Sequence, residues 1–587
     1  MEEETATRTV TTPPEEEEVL DWKPFKTSFL LLALCSQYFC QLLFIVGSGV
    51  YPRDIAAVVG GESIASWPAS SIVILTAAFA PPVAQAADYW GRKWLLVIPT
   101  SFGLIGSIVV ATAQSMQVAI VGFVLGGVSF GAQPLVHAVC SEIIPRKYRS
   151  YAQSCINSSI ALGAITSLTV GGALTNHHPA GFRTYWYICA GVYAFSTIIM
   201  AVLYNPPPRD LQLSMTLKQK LRALDWTGYV LFDAGLVLFC LGLSYSQNPF
   251  GWTNAHILAP FLLGSAILIV LIIYETKFKK DGLFHHGLFG HRNFPLALAG
   301  VTIEGFAFMA ANVYFPYEME TVVSGISTFR VLIAYAVGFV TLFAVSTTVG
   351  IYIHKTRTVR GPAMASFVGF LIFFVLMATN KASTPEAHFW GFITFYGAGL
   401  GTCLITLVTA AQLSTPPELI SITSGLLGSL RSVGGAIAVA IQNAIFNHGL
   451  TSNLVPKVTA AVEPLGLTGD TIGPLIGDLT GGQAEAAAKL PGVTPEILEA
   501  ASLAVTKAFV IGFRDVFICT AAFAFLGLVL SAFIRNPTEE FNAHIDAPLE
   551  KIPVRLGDVE KNDAGENSKL HHSEEAENPK PENVLVE

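Results

Sequence analysis

Charge is scarce in this chain of 587 residues. Asp, Glu, Lys and Arg make up 13% of it, against about 25% in a soluble domain. Other absences narrow the field. No Gly-X-Y period runs through the 51 glycines, which excludes a collagen-like rod. No ten-residue segments of alternating polarity recur, which excludes a membrane β-barrel. There is no Walker A loop, so direct drive by ATP is not expected. There is no H-E-x-x-H and no metal-like His/Cys grouping; His285-His286 and His571-His572 stand in a loop and a tail. Cys35, Cys40, Cys140, Cys155, Cys189, Cys240, Cys403 and Cys519 all lie in apolar runs and none forms C-x-x-C. They read as small apolar side chains rather than disulfide partners or metal ligands. Acidic residues stand where a secretory signal would be basic. No catalytic constellation is visible, so neither an enzyme nor a bound cofactor or metal is expected.

What is present is apolar. Hydrophobic residues make up 52% of the chain, and the mean hydropathy is +0.54. Only the ends differ. The first 25 residues and residues 541–587 are polar, acidic and poor in aromatics, too poor in apolar surface to offset chain entropy, and read as disordered tails. Between them, fourteen runs approach the ~20 residues a helix needs to cross a bilayer, from 27–48 to 513–535. With the N-terminus inside, the short inner loops hold sixteen Lys and Arg, against four outside: Arg53, Arg183, Arg330 and Lys381. That bias places both tails in the cytoplasm. The long connection 447–512 then lies outside. Thr494-Pro495-Glu496 within it reads as a helix start, and short helices near the membrane surface are expected there.

The cytoplasmic end of the second run reads "ADYWGRK", with Asp88, Gly91, Arg92 and Lys93. It resembles the loop 2–3 signature of the major facilitator superfamily, with Ala84 for the leading Gly and Tyr89 for a basic residue. "GIYIHKTRTVRG" echoes it in the second half, Gly350 and His354 repeating the spacing of Ala84 and Asp88. The segments "SEIIPRKYRSYAQ", "DWTGYVLFDAGLVLFCLGLSY" and "SGLLGSLRSVGGAIAVAIQNAIF" are similar to the fourteen-span drug:proton antiporter type, most of all to its fungal trichothecene efflux and siderophore transporter branch. The resemblance implies an all-α major facilitator fold of fourteen transmembrane helices as 6+2+6. The parts are a six-helix bundle over 26–205, a linker and inserted helix pair over 206–285, and a second bundle over 286–540. It also implies a cytoplasmic gate. Asp88 would clasp the start of span thirteen, where Thr415 and Glu418 would form a capping box over Pro416-Pro417. Arg92 or Lys93 would pair with Glu142.

The resemblance is incomplete. The antiporter signature of span five keeps Gly163, Gly171 and Gly172, but Ser167 and Leu168 replace its Gly-Pro. Ser159, Gly163, Ser167 and Gly171 still form a small-residue ridge at four-residue spacing, suited to close helix contact. The Arg customary in span four is Gly122, and the Asp customary in span one is Leu43.

Four ionisable residues sit at membrane depth: His137, Asp233, Glu304 and Arg431. Charge there is costly and marks transport or proton sites. An unpaired buried carboxylate would exchange protons near neutral pH, and Glu304 is flanked by Phe306, Phe308 and Tyr314. These residues are the candidate proton and substrate groups. The expected function is proton-coupled efflux of amphipathic toxins or drugs by alternating access. The alternative is siderophore–iron:proton symport, and a membrane receptor fits least. The expected partners are a small amphipathic organic substrate, a proton and the lipid bilayer, with no nucleic acid. A monomer in the plasma membrane is expected, with the vacuolar membrane as alternative.

Overall fold

A computed structural model describes residues 24–61, 64, 67–178, 180–206, 210–244, 254–279, 282–467, 469–480, 484–542 and 546. The tails read as disordered lie almost wholly outside them. The described residues are helical, with no strand among them. In chain order the main helices are α1 (Pro24–Val50), α2 (Trp67–Trp90), α3 (Arg92–Thr112), α4 (Met116–Glu142), α5 (Arg146–Asn176), α6 (Gly181–Leu203), α7 (Trp226–Ser244) and α8 (Ala255–Lys277). There follow α9 (Asn293–Val322), α10 (Thr328–Thr356), α11 (Arg360–Ala378), α12 (Glu386–Leu413), α13 (Ile420–Val462) and α14 (Pro495–Ser531).

Thirteen of the described helices are long and apolar enough to cross a membrane. The fourteenth expected span corresponds to α7, whose apolar stretch Trp226–Phe239 is shorter. Local chemistry marks several starts. Ser115 caps α4 by accepting from the Val118 N–H, and Ser327 caps α10 by accepting from Arg330. Large apolar side chains such as Trp94, Ile98 and Ile105 on α3 and Leu262, Ile269 and Ile272 on α8 are exposed, as a lipid-facing surface requires.

Helix pairings repeat. In the first six helices, α3 packs on α6 and α4, α2 on α4, and α1 on α5 and α6. In the last six, α11 packs on α14 and α12, α10 on α12, and α9 on α13 and α14. Each pairing recurs eight helices later. The two sets meet along two seams, α2 against α13 and α5 against α10. These are also counterparts under the same shift. Helices α7 and α8 pack on each other, and α7 leans on α2 and α13.

The connection 447–512 differs from the expected loop. α13 continues to Val462, α14 begins at Pro495, and the two pack together. At 1.5 Å per residue the 43 residues of α13 extend about 65 Å, roughly twice the ~30 Å hydrocarbon core. The helix outlasts its apolar run because Leu450, Leu454, Val458 and Val462 keep a four-residue stripe. Val458 and Val462 are buried, with Leu475 and Ile476 of the short helix Ile472–Thr480 and with Ile497 and Ala501 of α14. Thr494 caps α14 by accepting from the Ile497 N–H, with Pro495 in the first turn.

Candidate functional site

Helices α2 and α3 are joined by Gly91 alone. Its φ of 88° and ψ of 154° belong to a region open essentially only to glycine. A Cβ there would also sit 2.9 Å from the Gln212 side-chain oxygen. This one-residue reversal sets Asp88 and Arg92 side by side. Arg92 Nη2 lies 3.3 Å from Asp88 Oδ1 and donates to Ser421 Oγ at 2.8 Å. Its other terminal nitrogen pairs with Glu142 at the end of α4. All three charged groups are buried, Glu142 completely. Arg92 therefore ties α3 and α4 to the first turn of α13, across the seam between the two helix sets. Lys93 points elsewhere: it donates to Asn205 Oδ1 at 2.6 Å and lies over the Trp94 ring.

The expected capping box is not formed. Pro416-Pro417 opens a 3-10 turn over Pro417–Leu419, so α13 starts at Ile420 and Glu418 is out of register, exposed to solvent. Thr415 is buried. It donates back to the Ala411 carbonyl at 2.7 Å and accepts from Thr423.

The two seams make matching contacts. A Cβ at Gly425 of α13 would meet that of Ala84 on α2 at 2.6 Å, and one at Gly350 of α10 would meet that of Ser154 on α5 at 2.7 Å. Only small residues permit such approach. One turn further out, His354 Nδ1 bonds the Lys147 carbonyl at 2.7 Å, and its ring stacks on Tyr148. The segment after α14 closes over this end. Glu540 pairs with Arg146, Asp546 with Arg146 and Arg149, and the Asn542 carbonyl accepts from the Lys147 N–H.

Beyond the Arg92 cluster lies a cavity between the two helix sets. Its lining includes Tyr38 and Leu42 of α1, Phe130 and Gln133 of α4, Phe308 and Met309 of α9, Phe339 of α10, Leu404 of α12 and Arg431 of α13. Arg431 and Glu304 form a two-pronged pair, Nε to Oε2 at 2.5 Å and Nη2 to Oε1 at 3.0 Å. Glu304 is fully buried, while the Arg431 side chain keeps 26% of its surface open. Its guanidinium also lies 5.1 Å from the Phe308 ring centroid. The site presents a cation, backed by a carboxylate, to an aromatic and aliphatic chamber. Glu304 is thus not the unpaired acid the sequence suggested.

His137 belongs to a hydrogen-bonded chain leading down from this chamber. Gln133 donates to the Tyr38 hydroxyl at 2.7 Å, and that hydroxyl lies 3.2 Å from His137 Nε2. His137 Nδ1 meets Gln153 Oε1 at 2.6 Å. Gln153 Nε2 donates to Ser141 Oγ at 2.7 Å, and Ser141 donates to Gln412 Oε1 at 2.5 Å. Gln412 donates onward to Ser424. Because Gln153 Oε1 only accepts, the imidazole carries its proton on Nδ1. The chain runs from the cavity to Ser424 and passes from α5 and α4 to α12 and α13. Tyr38, Gln133, Gln153, Ser141, Gln412 and Ser424 are scattered along the sequence, and only His137 stood out there. Asp233 is not among the cavity lining; its Oδ1 is buried on α7 without a partner among the described residues.

The small-residue ridge of α5 meets α1. A Cβ at Gly163 would lie 2.7 Å from the Phe39 carbonyl oxygen. Ser167 accepts from Tyr51 through its carbonyl at 2.6 Å and bonds Tyr185 through its hydroxyl at 2.6 Å. Here, where Ser167 and Leu168 replace Gly-Pro, α5 widens to a π-turn over Ser167–Gly171. Gly171 packs under the Tyr51 ring, whereas Gly172 faces Phe329 and Leu332 of α10. The closest ridge contacts are therefore internal to the first six helices, while Gly172 faces the second set.

Comparison with known proteins agrees with this architecture. Residues 30–439 match the family described as Major Facilitator Superfamily. The efflux pump FUS6 of Gibberella moniliformis is 24% identical over 509 residues, covering 85% of this chain and 86% of the relative. The efflux pump aflT of Aspergillus parasiticus is 23% identical over 410 residues, covering 69% and 78%. Among solved structures, the human organic anion transporter MFSD10 (TETRAN) aligns with a TM-score of 0.52 at 12% identity, over 86% of this chain and 99% of that one.

Proposed function

This chain belongs to the major facilitator superfamily, and from that premise we propose that it exports small amphipathic organic molecules, toxins or drugs, in exchange for protons. It is a multi-pass membrane transporter. Relatives named as efflux pumps support the outward direction. The reading rests above all on the Glu304–Arg431 pair in its aromatic chamber.

The chemistry is a competition. The carboxylate is held by the guanidinium, which also faces the chamber. A donor group of the substrate that takes Arg431's place on the carboxylate is held there, and a proton that reaches Glu304 cancels that hold, so substrate and proton compete for one group. Loss of the proton restores the pair and readies it for the next substrate. Aromatic and aliphatic walls supply broad, weakly selective contact for an apolar body. We read the closed seams as the cytoplasmic side, so that the chamber empties to the outer face, and take a monomer in the plasma membrane to suffice.

Glu304→Gln tests this reading. Reconstituted in vesicles, the variant is expected to retain substrate binding while flux ceases to respond to an imposed proton gradient. Gradient dependence equal to that of the wild type would contradict the assignment.

A further inference from the structure

A second site lies on the cytoplasmic face, away from the transport chamber. Lys147 and Tyr148, just before the body of α5, and His354, Lys355 and Arg357, at the end of α10, surround a hollow of about 370 Å³ floored by Phe541. This is within the size range of small-ligand pockets. One wall comes from the first helix set and the other from the second. We propose that this hollow binds a phosphate-bearing anion, and that the anion holds the two helix sets together at the cytoplasmic seam.

The charges are arranged for a ligand rather than for each other. None of Lys147, Lys355 and Arg357 is paired with a carboxylate among the described residues. Two acids of the neighbouring C-terminal segment are already engaged, Glu540 by Arg146 and Asp546 by Arg146 and Arg149, and the third, Glu539, is exposed. Arg357 is the one non-glycine described residue in the left-handed region, at φ 52°. It closes α10 where glycine is usual, and the next turn is fixed by Asn536 Oδ1, which accepts from the Val359 and Arg360 N–H groups. Basic residues at a helix end also complement its carbonyls. That accounts for Lys355 and Arg357 but not for Lys147, which reaches the same hollow from the other helix set. The His354–Lys147 bond and the Tyr148–His354 stack close the hollow only while the seam is shut. An anion bridging Lys147 to Lys355 and Arg357 therefore favours the cytoplasm-closed form by its differential affinity. Exposed Ile351 and Tyr352 on the same turns of α10 place the hollow within reach of inner-leaflet headgroups. The ligand's phosphate can thus come from a lipid or from solution.

The test uses the full-length protein in nanodiscs of phosphatidylcholine. Its thermal midpoint is followed on adding phosphatidylinositol 4-phosphate to the bilayer or inorganic phosphate to the buffer. A rise in the midpoint is expected. A response to the lipid alone assigns a membrane headgroup, and a response to inorganic phosphate assigns a soluble anion. Lys147→Gln, and separately Lys355→Gln with Arg357→Gln, are expected to raise the amount of anion needed for the response about fivefold per cation removed, as for about 1 kcal/mol per basic residue near anionic lipid. Lys218→Gln, exposed on a cytoplasmic helix outside the hollow, is expected to respond as the wild type does. No rise with either anion, or equal rises in the hollow variants, would overturn the proposal.

Discussion

Arg92 carries the most consequential contacts of any one side chain where α2, α3, α4 and α13 meet. Replacing it with Ala leaves Glu142 fully buried without its cation. Breaking a buried pair in this way costs about 3–5 kcal/mol. Arg92→Ala is expected to lower the thermal midpoint and to raise the reactivity of a cysteine placed at Ser421 toward a cytoplasmic thiol reagent; unchanged reactivity would remove Arg92 from the gate. Gly91→Ala forces a side chain into a glycine-only conformation and against Gln212. A loss of about 1–3 kcal/mol is expected, read as a lower thermal midpoint. The signature around Asp88 was legible in the sequence because its residues are adjacent, and so were Glu304 and Arg431, because charge is conspicuous in apolar helices. Their pairing was not, because they stand on different helices. The Tyr38–His137–Gln153–Gln412 chain was hidden for the same reason, its uncharged members being ordinary polar residues until the helices meet.

At the scale of elements, hydropathy located the spans but not their ends. Span thirteen was expected to stop with its apolar run at Phe446, yet α13 continues to Val462. A helix ends where its hydrogen bonds end, and the stripe Leu450, Leu454, Val458, Val462 lets it continue in water against α14. The start of α14 was readable from Thr494-Pro495 because capping is local chemistry. Thr494→Ala is expected to cost about 1 kcal/mol, seen as faster hydrogen exchange over the first turns of α14. Leu475→Ala, at a fully buried position between α13 and α14, is expected to cost about 2–5 kcal/mol and to loosen the same segment more. Equal exchange in both variants and the wild type would show that the outer ends of these helices do not depend on that packing. Glu318 was not among the four ionisable residues that stood out at membrane depth. It is buried on α9, which continues to Val322.

The whole molecule is organised by repetition. Pairings of the first six helices recur in the last six, and the two sets touch along counterpart seams. A bilayer-spanning machine built from two similar units can expose its chamber to either side by rocking them about the chamber. That account requires the α5–α10 seam to open in every cycle. Positions 154 and 350 test it most directly, because a Cβ at Gly350 would lie 2.7 Å from that of Ser154. A slight separation then gives the ~3.5–4.5 Å of a disulfide. With Ser154→Cys and Gly350→Cys in a background without the native cysteines, oxidation is predicted to halt export and reduction to restore it. Export that continues undiminished through the oxidised pair would contradict the account.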